Sequence, residues 1–552
     1  VTQAQKRRGP STQAKAVFSL FLVVFVFGTA ELAARVVGAG DPEAFGGSRL
    51  LYQHIYPPLY VETPKGAWRP RDPRLVDRPI PKAAPPRRIF VFGESAVAGL
   101  GMSENASFSR ALERQLRHLG DSSVVANVGI VALDSRQVHT CVKDCCEHVK
   151  PDVVVLHVGN NEFLEPHALK FVEAKTGKPL AMRVDELFAH SCLFRALKNS
   201  VERARTAVLT SETFSTDSLQ LSEDKLVREK GVTVSREEVD AAVSKHLANM
   251  KRTVELAKAS GAKVVLMTVA TNLEWSGSKD PDEGWLAKAC GKTVPDVVGP
   301  ERTAVLQAAQ DALTKTVDDP SKETLDRWEA RYERACVRRA LGDTKGALDD
   351  FQKANDEDPH LRRCLSVMNE NVRQLAKEEG VLLVDGAQVL AEASKGGITG
   401  FDMLYDYVHF TPAGAERLGA ALALALAGSD KKDEIEKWTQ AREEKLAART
   451  QDALEVEEYL GWDADRALLS SRDLWKYEKL KKSLDFAGNK DTPPGKLQQG
   501  TITPEELVWC ADGHALKVGE EKRARELYER ARAAKPELGP VIDANLRWLD
   551  AR

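Results

Sequence analysis

Ser95, Asp406 and His409 are the side chains whose types and settings point most directly to chemistry. A serine hydroxyl becomes a nucleophile when a base takes its proton. Asp406 lies three residues before His409, close enough for its carboxylate to hold one imidazole nitrogen and leave the other for a hydroxyl. Asn160 and Asn161 are consecutive amides, and a side-chain amide can donate to a developing oxyanion, as backbone N–H groups can. Together such groups would carry acyl transfer through a covalent serine intermediate. None is diagnostic alone: serines after strands are common, a loop histidine is often simply satisfied by its neighbours, and paired asparagines also make turns.

The elements that would position these residues are legible around them. RIFVFG, ending at Gly93, is a short apolar run stopped by glycine, the pattern of a buried strand. A helix follows from about Glu104 to Leu119, then the strand VVANVG, a helix from about Ser135 to Val149, and the strand DVVVLHVG. AKVVLMTVA from Ala262 and GVLLVDG from Gly380 to Gly386 complete five strands. Strands alternating with helices imply a parallel sheet covered on both faces, an α/β doubly wound, flavodoxin-like sandwich. In such a sheet ligands bind at the carboxyl ends of the strands, where Ser95, the segment Asn127 to Ala132 and the segment Gly159 to Glu162 all fall. Thr411 and Pro412 read as an N-cap and first helical residue, so His409 lies on a loop just before a helix.

The order of these pieces resembles the SGNH (GDSL-like) hydrolase family. Its four blocks correspond to Gly93-Glu94-Ser95, Asn127 to Ala132, Gly159 to Glu162, and Asp406 to His409. The resemblance implies a serine esterase with Ser95 as nucleophile, His409 as general base and Asp406 as its orienter. It implies an oxyanion hole made by the Ser95 N–H, the Ala132 N–H and the Asn161 side chain, with Gly129 as an alternative donor. The family often has Asp where this chain has Glu94 and Glu162, and Gly where it has Ala132. A backbone with φ > 0 at Ala132 would therefore be strained. GNNEF, DYVHFT and TVATNLEW look like a membrane-anchored bacterial subgroup with tetratricopeptide-like (TPR-like) segments. The expected substrate is an acyl ester, short-chain or O-acetyl, on a polysaccharide or lipid. An O-acetyltransferase of cell-envelope polysaccharide using the same triad is one alternative, and an inactive scaffold with this fold is another. Asn272, Arg136 and His157 are further candidates to line the cleft, although core packing suits His157 and a helix start suits Arg136. No cofactor or metal is expected: the cysteines lack paired zinc-ligand spacing, and Gly99-Leu100-Gly101 lacks the rest of a phosphate-binding loop.

The rest of the chain sets the organisation. Its 552 residues are 43% hydrophobic and 29% charged, and the formal net charge of -3 argues against a general nucleic-acid binder. Residues 1–15 read as a basic cytoplasmic tail and 16–37 as a transmembrane signal anchor, with the catalytic domain outside the cytoplasm. The apolar stretch Ala16 to Ala30 is short of the roughly 20 residues of a full span. A cleaved signal peptide or a buried helix are the competing readings. Residues 38–87, rich in Pro, Gly and Arg, read as a juxtamembrane linker. The hydrolase domain is expected over 88–428, with helical insertions at about 170–260 and a TPR-like one at 299–375. A helical C-terminal region covers 429–552, with a second TPR-like unit at 503–537. Small and aromatic residues recur in register: Gly342, Ala347, Phe351, Ala354 and Pro359 match Gly519, Ala524, Tyr528, Ala531 and Pro536. Two such units are too few for a free solenoid, so packing on the catalytic domain and a protein partner are both expected of them. Export would permit disulfides among the eight cysteines.

Overall fold

The computed structural model describes residues 11–37, 58–63, 66–70, 75, 80–81, 87–100, 107–164, 184, 187–188, 191–197, 234–275, 299–359, 361–404, 406–447, 497, 500–515, 521–540, 542–543 and 545–546. The chain divides into two compact units, Val1–His54 with Ala168–Thr216, and Ile55–His167 with Asp217–Arg552. In the first unit, helix α1 (Thr12–Val36) contains the stretch Val17–Val36, long and apolar enough to cross a membrane or to serve as a signal sequence. Its apolar side chains from Val17 to Phe27 are exposed, so no protein core covers them.

The second unit opens with three short strands, β1 (Tyr60–Glu62), β2 (Ala67–Pro70) and β3 (Ile80–Pro81), paired antiparallel in that order. Then follow β4 (Arg88–Gly93), α2 (Ser95–Ala98), α3 (Phe108–His118), β5 (Val124–Gly129), α4 (Ser135–His148) and β6 (Val153–His157). After α5 (Arg236–Ala259) and β7 (Lys263–Met267) come α6 (Gly299–Asp318), α7 (Thr324–Ala340), α8 (Thr344–Asp356) and α9 (Ser366–Glu379). The domain continues with β8 (Leu382–Val384), α10 (Gly386–Ala393), α11 (Pro412–Ala427) and α12 (Lys432–Ala447). Near the C-terminus lie α13 (Pro504–Ala515) and α14 (Glu521–Ala534).

The main sheet has five parallel strands in the order β5-β4-β6-β7-β8. This is the doubly wound arrangement that the alternating pattern implies. Its strands alternate side chains with period two, and both faces are apolar because both are covered. Phe90, Phe92, Val128, Val154, Leu156 and Leu266 face one layer, which α4, α5 and α9 complete with residues such as Cys145, Val254 and Leu375. Ile89, Val91, Val125, Val155 and Val265 face the other, against Leu112 of α3 and Leu418 and Leu422 of α11. Each of these side chains is essentially inaccessible, and burial of one is worth about 1.5–3 kcal/mol.

Several expectations change against this architecture. Leu59, Tyr60, Leu75 and Ile80 belong to the first of these core layers, so part of the segment read as linker is built into the domain. Prolines at positions 70 and 81 hid these strands, since proline marks strand ends and edges. Helix α5, placed by sequence in an insertion, packs on the sheet as the crossover between β6 and β7, capped by a Ser235/Glu238 capping box. Most of residues 170–233 lies outside the described residues. Helix α9, the end of the expected TPR-like stretch, also packs on the sheet.

The α7–α8 hairpin has its own core of Trp328, Tyr332, Ala335, Ala347, Phe351 and Ala354, which also takes in Leu273 and Ile398 of the catalytic domain. Arg334 makes a bidentate pair to Asp350 inside it, at 2.8 and 2.7 Å. The α13–α14 hairpin closes around Cys510, Ala511, Ala524, Leu527, Tyr528 and Ala531. Gly519 lies outside the described residues. The described cysteines, Cys141, Cys145, Cys146, Cys192, Cys336, Cys364 and Cys510, are all free and buried, and Cys290 lies outside the described residues.

Candidate active site

Gly93 stands level with Gly129 on one side and His157 on the other, so β4, β5 and β6 end together. Ser95 is the first residue of α2, directly past that edge, and its N–H is a first-turn donor with no helical acceptor. The helix is a single turn closed by Gly99 at φ 76°. Gly129 lets it sit so close: a Cβ there would lie 2.1 Å from Ala98 N and 2.6 Å from Val97 C. Asn127, two residues earlier, donates from its side chain to Val97 O at 2.8 Å and so ties β5 to the serine turn.

The Asp406–His409 loop reaches Ser95 from 314 positions away in the chain. His409 Nε2 lies 2.8 Å from Ser95 Oγ, and His409 Nδ1 lies 2.6 Å from Asp406 Oδ2. The other Asp406 oxygen accepts from the backbone N–H groups of Val408 and His409 at 2.9 and 2.8 Å. An ionised carboxylate on Nδ1 fixes the tautomer with the proton there, leaving the Nε2 lone pair for the serine proton. Ser95 and His409 are only 7% and 5% exposed, while the Asp406 side chain keeps 27%. Thr411 caps α11 by accepting from Gly414 N, with Pro412 next, as the sequence pattern implies.

Asn272 holds this loop. Its side-chain amide donates to Asp406 O at 2.8 Å, and its N–H donates to Tyr407 O at 3.0 Å. Arg363 in turn donates to Asn272 O at 2.7 Å. Asn272 is fully buried, so it does not line the cleft as expected: its two N–H donors serve the loop and its Oδ1 accepts from Glu274 N at 3.0 Å.

The donors expected at the oxyanion site sit on loops strapped to one another. Glu94, just before Ser95, accepts from the backbone N–H groups of Gly159, Asn160 and Asn161. Asn161 donates from its side chain to Leu133 O at 3.0 Å, which places it against the second block. An amide nitrogen carries two hydrogens, so one remains. Ala132 has φ 62°, the left-handed conformation that glycine would take without strain. Its N–H has no hydrogen-bond partner among the described residues. Gly129 is not the alternative donor, because its N–H is committed to Asn127 Oδ1 at 3.0 Å.

The remaining candidates are structural. His157 is buried, with ring centroids 5.5 Å from Phe108 and 5.7 Å from Phe410, and burial holds its pKa down to about 4. Arg136 is also buried and pairs with Asp134 at 3.3 Å, which keeps its guanidinium inside the domain rather than in solvent.

Sequence reasoning gave no role to Glu94 or Glu162 beyond their length. Glu94 is buried and Glu162 half-buried, and desolvation pushes both carboxyls up to about 8. Three backbone N–H groups pull Glu94 back toward the charged form, whereas Asp134 and Glu94 push Glu162 further up. The two Glu162 oxygens accept from Ser135 N and Oγ at 2.7 and 2.8 Å, bonds that pull it back toward the charged form. Cys364 N donates to Asn160 Oδ1 at 3.1 Å, so the chain beyond α8 also braces the site. No local signal marks that contact. Among the described residues, no group of three or more His, Cys, Asp or Glu side chains could hold a metal ion.

Several solved structures are similar to the chain. An acetyl xylan esterase shares 12% identity, covering 61% of this chain and 97% of that one, with a TM-score of 0.28. A GDSL-like lipase from Bacteroides thetaiotaomicron shares 13%, covering 64% and 88%, with a TM-score of 0.27. A lipase/acylhydrolase from Enterococcus faecalis shares 10%, covering 63% and 96%, with a TM-score of 0.27. No curated protein matches the sequence. Residues 91–417, more than half of the chain, match the GDSL-like Lipase/Acylhydrolase family. The chain belongs to that family and is a serine hydrolase acting on ester bonds.

Proposed function

We propose that this protein is a membrane-anchored esterase that removes short acyl groups, O-acetyl above all, from cell-envelope polysaccharide or lipid. The observation that carries the reading is the continuous hydrogen-bonded line from Asp406 through His409 to Ser95. Ser95 Oγ attacks the ester carbonyl as His409 takes its proton. The oxyanion is met by the N–H groups of Ser95 and Ala132 and by the Asn161 amide. His409 then protonates the departing alcohol, leaving an acyl-Ser95 that water resolves by the same steps in reverse order. The near-complete cover over Ser95 and His409 favours a small acyl group.

Helix α1 is the anchor in this reading. Lys6, Arg7, Arg8 and Lys15 before its apolar run favour a cytoplasmic N-terminus and place the hydrolase domain on the outer side. The α7–α8 and α13–α14 hairpins are TPR-like units that brace the catalytic domain or hold a protein partner.

The test is turnover of p-nitrophenyl acetate by the purified full chain, with and without a sugar acceptor. Release of acetate unaffected by the acceptor supports hydrolysis. Acetylated sugar formed at the expense of acetate would reassign the protein as an O-acetyltransferase. No turnover of any small ester would favour an inactive scaffold.

A further inference from the structure

Glu31 is an acidic residue near the far end of the apolar helix α1, and the structure gives it an elaborate set of partners. Its carboxylate accepts from Cys192 N and Leu193 N, each at 2.9 Å, and from Ser191 Oγ at 2.8 Å. Arg35, one turn on, pairs with it at 2.8 Å. Residues 192–197 are helical, and Ser191 Oγ also accepts from Phe194 N, so Glu31 and Ser191 together cap that short helix. Cys192 and Ala34 are buried at this junction.

The other side of the docked segment is apolar and uncovered. Leu187 is 77% exposed, Phe188 44% and Leu197 58%, and the Phe188 and Phe194 rings stack at 5.2 Å. This cluster and α1 belong to one compact unit, joined through Glu31. Its level along α1 is fixed by Glu31. The stretch Val17–Val36 matches the roughly 30 Å hydrocarbon core, and Glu31 lies five residues, about 8 Å along the helix, before its outer end, in the part of the core next to the headgroup boundary and paired with Arg35. A carboxylate is tolerated there, and a helix lying in the interface buries its apolar side chains at that depth.

We infer that the helical residues 192–197, with Leu187 and Phe188, form a second membrane contact: they lie in the headgroup–acyl boundary beside α1, clamped to it by Glu31. This rests on the reading of α1 as a membrane anchor. The partner is the lipid surface itself. The contact would fix the orientation of α1 and the height at which the chain leaves the bilayer.

The test uses the full chain in phosphatidylcholine vesicles containing lipids brominated either near the headgroup or near the bilayer centre. Trp fluorescence is read as the difference from the parent, which has nine tryptophans of its own. Leu197→Trp should be quenched, more strongly by the shallow bromine than by the deep one. Phe25→Trp, in the middle of α1, should be quenched more by the deep bromine. Adding Glu31→Ala should abolish quenching at Leu197→Trp and leave Phe25→Trp unchanged. Quenching at Phe25→Trp without quenching at Leu197→Trp would overturn the second contact while leaving the anchor intact. Quenching at neither would overturn both. Persistence of the Leu197→Trp signal with Glu31→Ala would overturn the clamp.

Discussion

At the residue scale the site depends on where protons and hydrogen-bond donors sit. Asn161 is expected to matter mainly in the transition state, because its free amide hydrogen meets a charge that the ester ground state lacks. Asn161→Ala should lower kcat by about 100–1000-fold with little change in KM, as steady-state kinetics would show; unchanged kcat would remove it from the oxyanion site. Glu162 tests the desolvated acid. Its folded pKa is raised from 4.5 to about 8, so the protonated form stabilises the fold fully below 4.5. That contribution declines as pH rises and is lost through about 8. Thermal melts from pH 5 to 9 should show the parent losing stability with rising pH. Glu162→Gln, which mimics the protonated acid, should lose less; parallel profiles would mean that Glu162 is ionised throughout. Ser95, Asp406 and His409 were legible in the sequence because each lies in a short segment with its own local cue: a strand end, a three-residue spacing, a Thr-Pro helix start. Asn272, Arg363 and Cys364 were not, since their roles come from chain segments that meet only in the fold.

At the element scale the serine turn is held between β4 and β5 with no spare room. Gly129→Ala places a methyl group onto the backbone of Val97 and Ala98, so α2 must move and carry Ser95 away from His409. The expected cost is about 1–3 kcal/mol of stability together with most of the activity. Ala132→Gly works in the opposite direction. It relieves left-handed strain of about 1–2 kcal/mol, partly offset by the greater freedom of glycine in the unfolded chain. Its melting temperature should equal or exceed that of the parent, with activity retained. A clear loss of stability in Ala132→Gly would show that the Ala methyl packs usefully despite its φ. The five main strands and most of their helices were readable from apolar runs and caps. The small three-stranded sheet was not, because its strands are two to four residues long and two of them end in proline.

At the scale of the whole molecule, the described residues comprise a hydrolase domain built on a parallel sheet, the exposed apolar helix α1, and the hairpins α7–α8 and α13–α14. The anchor reading is checked by fractionation: the full chain is expected to stay with membranes through an alkaline carbonate wash and to be released by detergent. Release by carbonate would mean peripheral attachment or removal of the segment. The hairpin α7–α8 shares its buried core with Leu273 and Ile398 of the hydrolase domain, next to Asn272, whose side chain holds the Asp406–His409 loop. In the proposed function these parts serve the Ser95 hydroxyl, and its reactivity can be read directly. Full-length protein is treated with a fluorophosphonate probe, digested, and the modified peptide sequenced by mass spectrometry. Labelling is expected on Ser95, absent in Ser95→Ala and strongly slowed in His409→Ala. A folded protein that leaves Ser95 unlabelled, or labels as fast without His409, would contradict the assignment of these two residues as nucleophile and base.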